Sequence, residues 1–308
     1  MKLFHPFNVY DESWLLLGVI KLLGLYPIKF FRTMYTDYIY VIILLILYAN
    51  LYLCLRNNTS DMINIFLPLN ETFIVRVIRL YTNLVLFPVM MISSIRQSSK
   101  IKETFGQIDF IDTNVKFLNT EIDHVLPMKY DIVMITSTVF AQIMFNLVDY
   151  YGLLDNDSNY MYVLWWIFNQ IPDFVNVIII CSFVVLMSKI KFRFRQVKLI
   201  LDVITKGQRF YFISETTDMN EDFRYKLLKW LHSELRRIVS VLNEAYEFRF
   251  KILLFAYISY VCFHMCILYK NSYDPYYAID TIITVLCGTF DLIKLVYLIH
   301  LHRNLTLE

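Results

Sequence analysis

MYVLWWIFNQIPDFVNVIIICSFVVLM, residues 161–187, carries one charged side chain, Asp173, in an otherwise uncharged and mostly apolar run. It exceeds the roughly 20 residues a helix needs to cross a hydrocarbon core about 30 Å thick. Five further stretches read the same way, at 37–55, 73–95, 130–153, 250–269 and 279–302. A transmembrane barrel would instead show segments of about ten residues with alternating polarity, a pattern absent here. The expected fold class is therefore all-α, a polytopic transmembrane helical bundle.

Composition agrees with that reading. Of 308 residues, 57% are hydrophobic and only 18% charged, and the mean hydropathy is +0.49. A soluble domain of this length has nowhere to hide so much apolar surface, so lipid must serve as part of the solvent. With 6 glycines and 7 prolines, disorder and turn-rich barrels are disfavoured. The cysteines at 54, 181, 262, 266 and 287 all fall within apolar runs. They form no disulfide framework, and Cys262, His264 and Cys266 lack the fourth ligand zinc would need. No metal and no cofactor is expected.

Loop charges set the orientation, because lysine and arginine favour the cytoplasmic side. Lys21, Lys29 and Arg32 precede the first span, and Arg96, Lys100 and Lys102 follow the second. Lys189, Lys191, Arg193, Arg195 and Lys198 follow the fourth, whereas 154–160 holds Asp155 and Asp157 with no positive charge. The N-terminus is thus expected in the cytoplasm, opposite to the common seven-helix receptors. Sequons at Asn57, Asn58, Asn70 and Asn156 fall in the expected outer loops, and one at Asn304 falls inside. Segment 14–25 lacks small residues for signal cleavage and is too short to span. It reads as an interfacial or re-entrant helix within a cytoplasmic segment 1–36, ahead of the first four spans in 37–187.

The largest inner loop, 188–249, is not a linker. Leu227, Leu231, Leu235, Ile238 and Leu242 recur there at helical spacing. Such a face packs either on its own subunit or on a neighbouring one beneath the membrane. The last two spans lie in 250–302.

Polar residues inside the spans form faces. Thr138, Gln142, Asn146 and Asp149 share one face of the third span, and Trp166, Asn169, Asp173 and Asn176 one face of the fourth. Tyr257, Tyr260 and His264 belong to the fifth, Thr281 and Thr284 to the sixth. Pro172 is expected to kink the fourth. With the N-terminus inside, most of these groups lie in the outer halves of their spans, where a small-molecule pocket with aromatic walls would be placed. The same residue types also bridge helices by hydrogen bonding. Arg76 or Arg79 could partner Asp173, or snorkel to the headgroups. Asp291 and Lys294 stand one turn apart and could pair.

No catalytic constellation appears: no His-Glu-x-x-His, no Gly-x-Ser-x-Gly, no phosphate-cradling glycine loop. An enzyme is not expected. Neither a row of regularly spaced arginines nor a potassium filter is present.

Two segments resemble the insect chemoreceptor superfamily, nearer its gustatory than its odorant receptors. WLLLGVIKLLGLYPIKF, 14–30, is similar to the Leu-Gly-Leu-x-Pro segment ahead of the first span in those receptors. In 231–269, Leu-His-x-x-Leu and Leu-Asn-x-x-Tyr lead into the fifth span much as in gustatory receptors. The resemblance implies a plasma-membrane chemosensory receptor of the ligand-gated, non-selective cation channel type. It also implies a homo- or hetero-tetramer with related subunits, and a tastant or odorant entering from outside among the second to sixth spans. Membrane lipid is an implied partner and nucleic acid is not. The family's seventh helix, with its Thr-Tyr-…-Gln-Phe signature, has no counterpart before Glu308. On this reading six of seven spans are present and 303–308 is a truncated tail. The alternatives are an odorant receptor of the same superfamily and a six-span transporter using Asp173 and Asn169.

Overall fold

A computed structural model of the chain describes residues 6–25, 34–57, 70–116, 118, 120, 122–151, 160–205, 221–271 and 278–307. Among them are eight α-helices and no strand: α1 Val9–Glu12, α2 Trp14–Leu22, α3 Met34–Asn57, α4 Asn70–Lys116, α5 Val125–Tyr151, α6 Tyr160–Thr205, α7 Glu221–Asn271 and α8 Ala278–Leu307. The chain is a polytopic helical membrane bundle. Five stretches among the described residues are long and apolar enough to cross a membrane: Tyr38–Arg56, Val125–Val148, Trp166–Asp202, Phe223–Cys266 and Thr284–Leu301. The expected span at 73–95 lies on α4, partly outside the residues whose side chains are described.

Helices α4, α6 and α7 run well past the spans read from the sequence. In α7 the span and the helical part of the inner loop are one element. The helical assignment also continues through Pro88 in α4 and Pro172 in α6.

The chain divides into two compact units. The first comprises Met1–Val19, Gln97–Thr136 and Cys181–Tyr246. Its core is built on one face of α7, where Leu228, Leu231, Leu235, Ile238, Leu242, Ala245 and Tyr246 are almost fully buried. The spacing is that of a helix stripe, and each such side chain contributes roughly 1.5–3 kcal/mol when removed from water. Leu228 replaces Leu227 in the stripe, the latter being only half-buried. This face is spent within the chain itself, so it is the packing of the subunit on itself rather than a surface left for a neighbour. Tyr246 stacks obliquely on Phe183 at 5.1 Å and its hydroxyl lies 2.7 Å from Ser182 Oγ.

A charged cluster lies in the same core. Asn8 caps α1 by accepting from the Asp11 backbone N–H at 2.8 Å, which fixes the single turn that carries Glu12. Glu12 accepts from Lys189 at 2.6 Å and from both terminal nitrogens of Arg193, and lies 3.0 Å from His124 Nδ1. Arg193 also forks onto Asp112 at 2.8 and 3.0 Å, and Lys189 pairs with Asp131. All six side chains are buried. Burial pushes the Glu12 carboxyl up, but His124, Lys189 and Arg193 together outweigh it and hold it down at about 2. Burial wins at Asp112, whose carboxyl is raised despite its bonds from Arg193.

The second unit comprises Ile20–Arg96, Ser137–Ile180 and Glu247–Glu308. Its exterior is apolar: Ile39, Ile42, Ile43, Ile46 and Leu47 on α3, Phe255 on α7, and Ile293 and Val296 on α8 are all exposed. Continuous apolar surface of this kind marks a face meant for lipid. Inside, Tyr48 lies between Phe87 and Phe168, with ring centroids 4.3 and 4.4 Å away. Gly24, at φ 65°, ends α2. Its N–H bonds the Lys21 carbonyl and the Leu25 N–H bonds that of Ile20, both at 3.0 Å.

Candidate functional site

The polar faces of the second unit meet in its interior. Gln142 on α5 is fully buried and its Nε2 donates to Asn146 Oδ1 and to Asp173 Oδ2, each at 2.8 Å. One bond to an amide oxygen and one to a carboxylate use both hydrogens of the Gln142 amide, fixing its orientation. Asp173 Oδ2 also accepts from Lys294 Nζ on α8 at 2.8 Å. The carboxylate is thus partnered by Lys294; the side chains of Arg76 and Arg79 lie outside those described.

Lys294 reaches Asp291 Oδ1 only at 3.5 Å, so the expected pairing of these neighbours is the weaker of its two contacts. Its ammonium also sits over the rings of Phe290, Phe145 and Tyr257, at 4.6, 4.7 and 5.6 Å from their centroids. Asp291 Oδ2 faces His264 Nε2 at 3.1 Å. Helix α8 comes close to α7 here because Gly288 has no side chain: a Cβ would sit 3.0 Å from His264 Cβ.

A second knot lies on the same unit. Asn83 on α4 donates from Nδ2 to Asn169 Oδ1 at 2.8 Å and accepts on Oδ1 from the Tyr260 hydroxyl. Tyr48 donates to the Asn83 carbonyl at 3.1 Å. Tyr257 and Tyr260 meet edge to face at 6.0 Å, which joins the two knots.

Of the residues singled out from the sequence, Gln142, Asn146, Asp173, Tyr257 and His264 fall in the first knot, and Asn169 and Tyr260 in the second. Trp166 packs instead on Tyr150, edge to face at 5.2 Å. Asn176 is buried one turn beyond Asp173, and Thr284 is half-buried on α8. The Asp149 side chain is outside those described, as are the side chains of Asn57 and Asn70 and all of Asn58 and Asn156. Sequence reasoning missed Asn83, although an amide in the middle of an apolar run is itself the signal. It also missed the aromatic seat of Lys294, since Phe145 and Phe290 look like lipid-facing or core residues until the fold brings them together.

Several buried polar atoms here have no hydrogen-bond partner: Asp173 Oδ1, Gln142 Oε1, both side-chain atoms of Asn176, the Tyr257 hydroxyl, Trp166 Nε1 and His264 Nδ1. Most buried polar groups are paired, so such a concentration sets this region apart from an ordinary core. Among the described residues no His, Cys, Asp and Glu cluster could hold a metal.

The family model described as 7tm chemosensory receptor matches residues 15–307, nearly the whole chain. The chain belongs to that family. No curated protein matches it at a significant level. Membership makes this chemosensory receptor a membrane protein that responds to small chemicals.

Proposed function

We propose that this chemosensory receptor is of the gustatory type, a subunit of a plasma-membrane, ligand-gated, non-selective cation channel with a small-molecule site within its spans. The single observation that supports the site is the convergence of Gln142, Asn146 and Asp173 with Lys294, Tyr257 and His264, with buried polar atoms still unpaired. On this reading the N-terminal segment 1–36 and the helical loop 188–249 are cytoplasmic. The subunit assembles into a homo- or hetero-tetramer with related receptors. Ligand opens the assembly only by preferring the open arrangement to the closed one.

The experiment is ligand-evoked current from cells expressing the chain together with related receptor subunits, across a panel of tastants and odorants. Asn169→Ala or Asp173→Asn should alter the response while surface expression persists. Loss of folding in both would instead identify these residues as interhelical packing contacts. Response only with a shared odorant co-receptor would move the assignment to the odorant type. Saturable substrate flux without ligand-gated current would replace the channel with a six-span transporter.

A further inference from the structure

We infer that the ligand recognised in the second unit carries a protonated amine, which takes over Asp173 and sends Lys294 across to Asp291. This rests on the ligand-site reading above and names the chemistry of its ligand.

The first observation is how Lys294 is held. Its ammonium has one short bond to a carboxylate and lies over three aromatic rings, in a side chain only 9% exposed. A carboxylate flanked by aromatic faces is how proteins recognise an organic ammonium. The protein fills that seat with its own amine.

The second is charge. Among the described residues, Asp173 and Asp291 both face Lys294, and His264 adds positive charge beside Asp291 only when protonated. An anionic ligand would bring a third negative charge into a buried site, which costs heavily. A cation would give each carboxylate an ammonium of its own.

The third is the pattern of unmet bonds. Asp173 Oδ1, Gln142 Oε1 and Asn176 Oδ1 are buried acceptors without partners, the Tyr257 hydroxyl can accept as well, and the donors Asn176 Nδ2 and Trp166 Nε1 are also unmet. An ammonium offers three donors and no acceptor, which suits the acceptors beside Asp173. Lys294 cannot serve these atoms while it remains on Asp173 Oδ2. Its second carboxylate, Asp291, is already within 3.5 Å, so the exchange needs only a short swing of the lysine head. Because Asp173 lies on α6 and Lys294 on α8, that swing would alter the contact between the two helices.

The test uses the full chain in lipid nanodiscs and three probes of one shape: phenethylammonium, 2-phenylethanol and 3-phenylpropanoate. Affinity is read from ligand-dependent thermal stabilisation at neutral pH. The wild-type chain should bind phenethylammonium at least about tenfold more tightly than the alcohol, with the carboxylate weakest. Lys294→Met vacates the seat and should tighten phenethylammonium by a further factor of about ten, leaving the alcohol unchanged. Asp173→Asn should reduce ammonium binding to the level of the alcohol. The wild-type comparison needs no variant, so misfolding of either substitution does not remove the test. Equal binding of ammonium and alcohol, or tightest binding of the carboxylate, overturns the inference. If the alcohol binds without ammonium preference and Asn169→Ala abolishes that binding, the site stands and its ligand class falls. No binding of any probe to either the wild-type or the Lys294→Met chain overturns the inference, and the site reading is then judged by the current measurement alone.

Discussion

Arg193 holds Glu12 with both arms of its guanidinium, Nη2 to Oε2 at 2.8 Å and Nη1 to Oε1 at 3.2 Å, although 181 residues separate them. Glu12 is the shared partner of Lys189, Arg193 and His124. A turn near the chain start is thereby tied into the core of the first unit, and the tie is electrostatic.

Removing one member of a buried charge cluster strands the others. Glu12→Gln should therefore lower stability by about 3 kcal/mol, because Lys189 and Arg193 lose a buried counter-charge. The control is Glu247→Gln, whose pair with Lys251 at 2.6 Å is exposed on both sides. That change should cost well under about 1 kcal/mol. Thermal unfolding of the purified variants checks both. Equal melting temperatures for the two would remove Glu12 from its structural role.

The pH dependence has a definite sign. Glu12 titrates near about 2 in the folded chain, against an ordinary value of 4.5. A depressed carboxyl contributes its stability in full above the unfolded value and loses it as pH falls through the folded one. The stability gap between wild type and Glu12→Gln should thus be constant above about pH 5 and close progressively toward about pH 2. A gap that instead widens on acidification contradicts the assignment.

Some of this was legible in the residues and some was not. Spans announce themselves because lipid demands long apolar runs, and helical continuity of the inner loop shows in the spacing of Leu231, Leu235, Ile238 and Leu242. Faces such as Gln142 with Asn146 follow from the 3.6-residue repeat. Partners across helices do not. Nothing local distinguishes Lys294 as the counter-ion of Asp173, 121 positions away, from a lysine paired within its own turn. Glu12 reads as an ordinary surface acid until tertiary packing buries it. Leu228 taking the place of Leu227 in the buried stripe is of the same kind, since both positions lie one turn before Leu231 and only tertiary neighbours choose between them.

Asn83 binds α4 to both α6 and α7 through one side chain. Asn83→Ala removes those side-chain bonds at once and should cost about 1–3 kcal/mol. Tyr260→Phe removes one of them. A double-mutant cycle should show the combined loss to be smaller than the sum of the single losses, since the two changes share a bond. Strict additivity in thermal or denaturant unfolding would separate the two residues.

Gly24 occupies the left-handed region at φ 65°, and a Cβ built there would lie 2.9 Å from Leu44 Cδ1 and 3.2 Å from Met91 Cε. Both contacts are with flexible side-chain ends, which can yield, but the backbone strain remains. Gly24→Ala should cost about 1–2 kcal/mol from that strain alone. Gly18, around which a Cβ meets nothing within 4 Å, is the matched control. As a helical position it should accept alanine neutrally or gain up to about 1 kcal/mol. Equal behaviour of the two variants in thermal unfolding would refute the conformational argument.

Orientation is tested by sugar. Asn57 closes α3 and Asn70 opens α4, so their sequons belong to the same inter-helix connection, while Asn304 lies near the end of α8. With the N-terminus inside, that connection and the one holding Asn156 face the lumen during synthesis, where the transferase acts, and Asn304 does not. Glycosidase treatment should therefore sharpen and speed the band on a gel. Replacing Asn57, Asn58, Asn70 and Asn156 together by glutamine should reproduce the treated mobility, and Asn304→Gln should leave it unchanged. A shift abolished by Asn304→Gln alone would turn the bundle over. It would place the basic segments within α4 and α6 outside, against the charge rule that orients every other span.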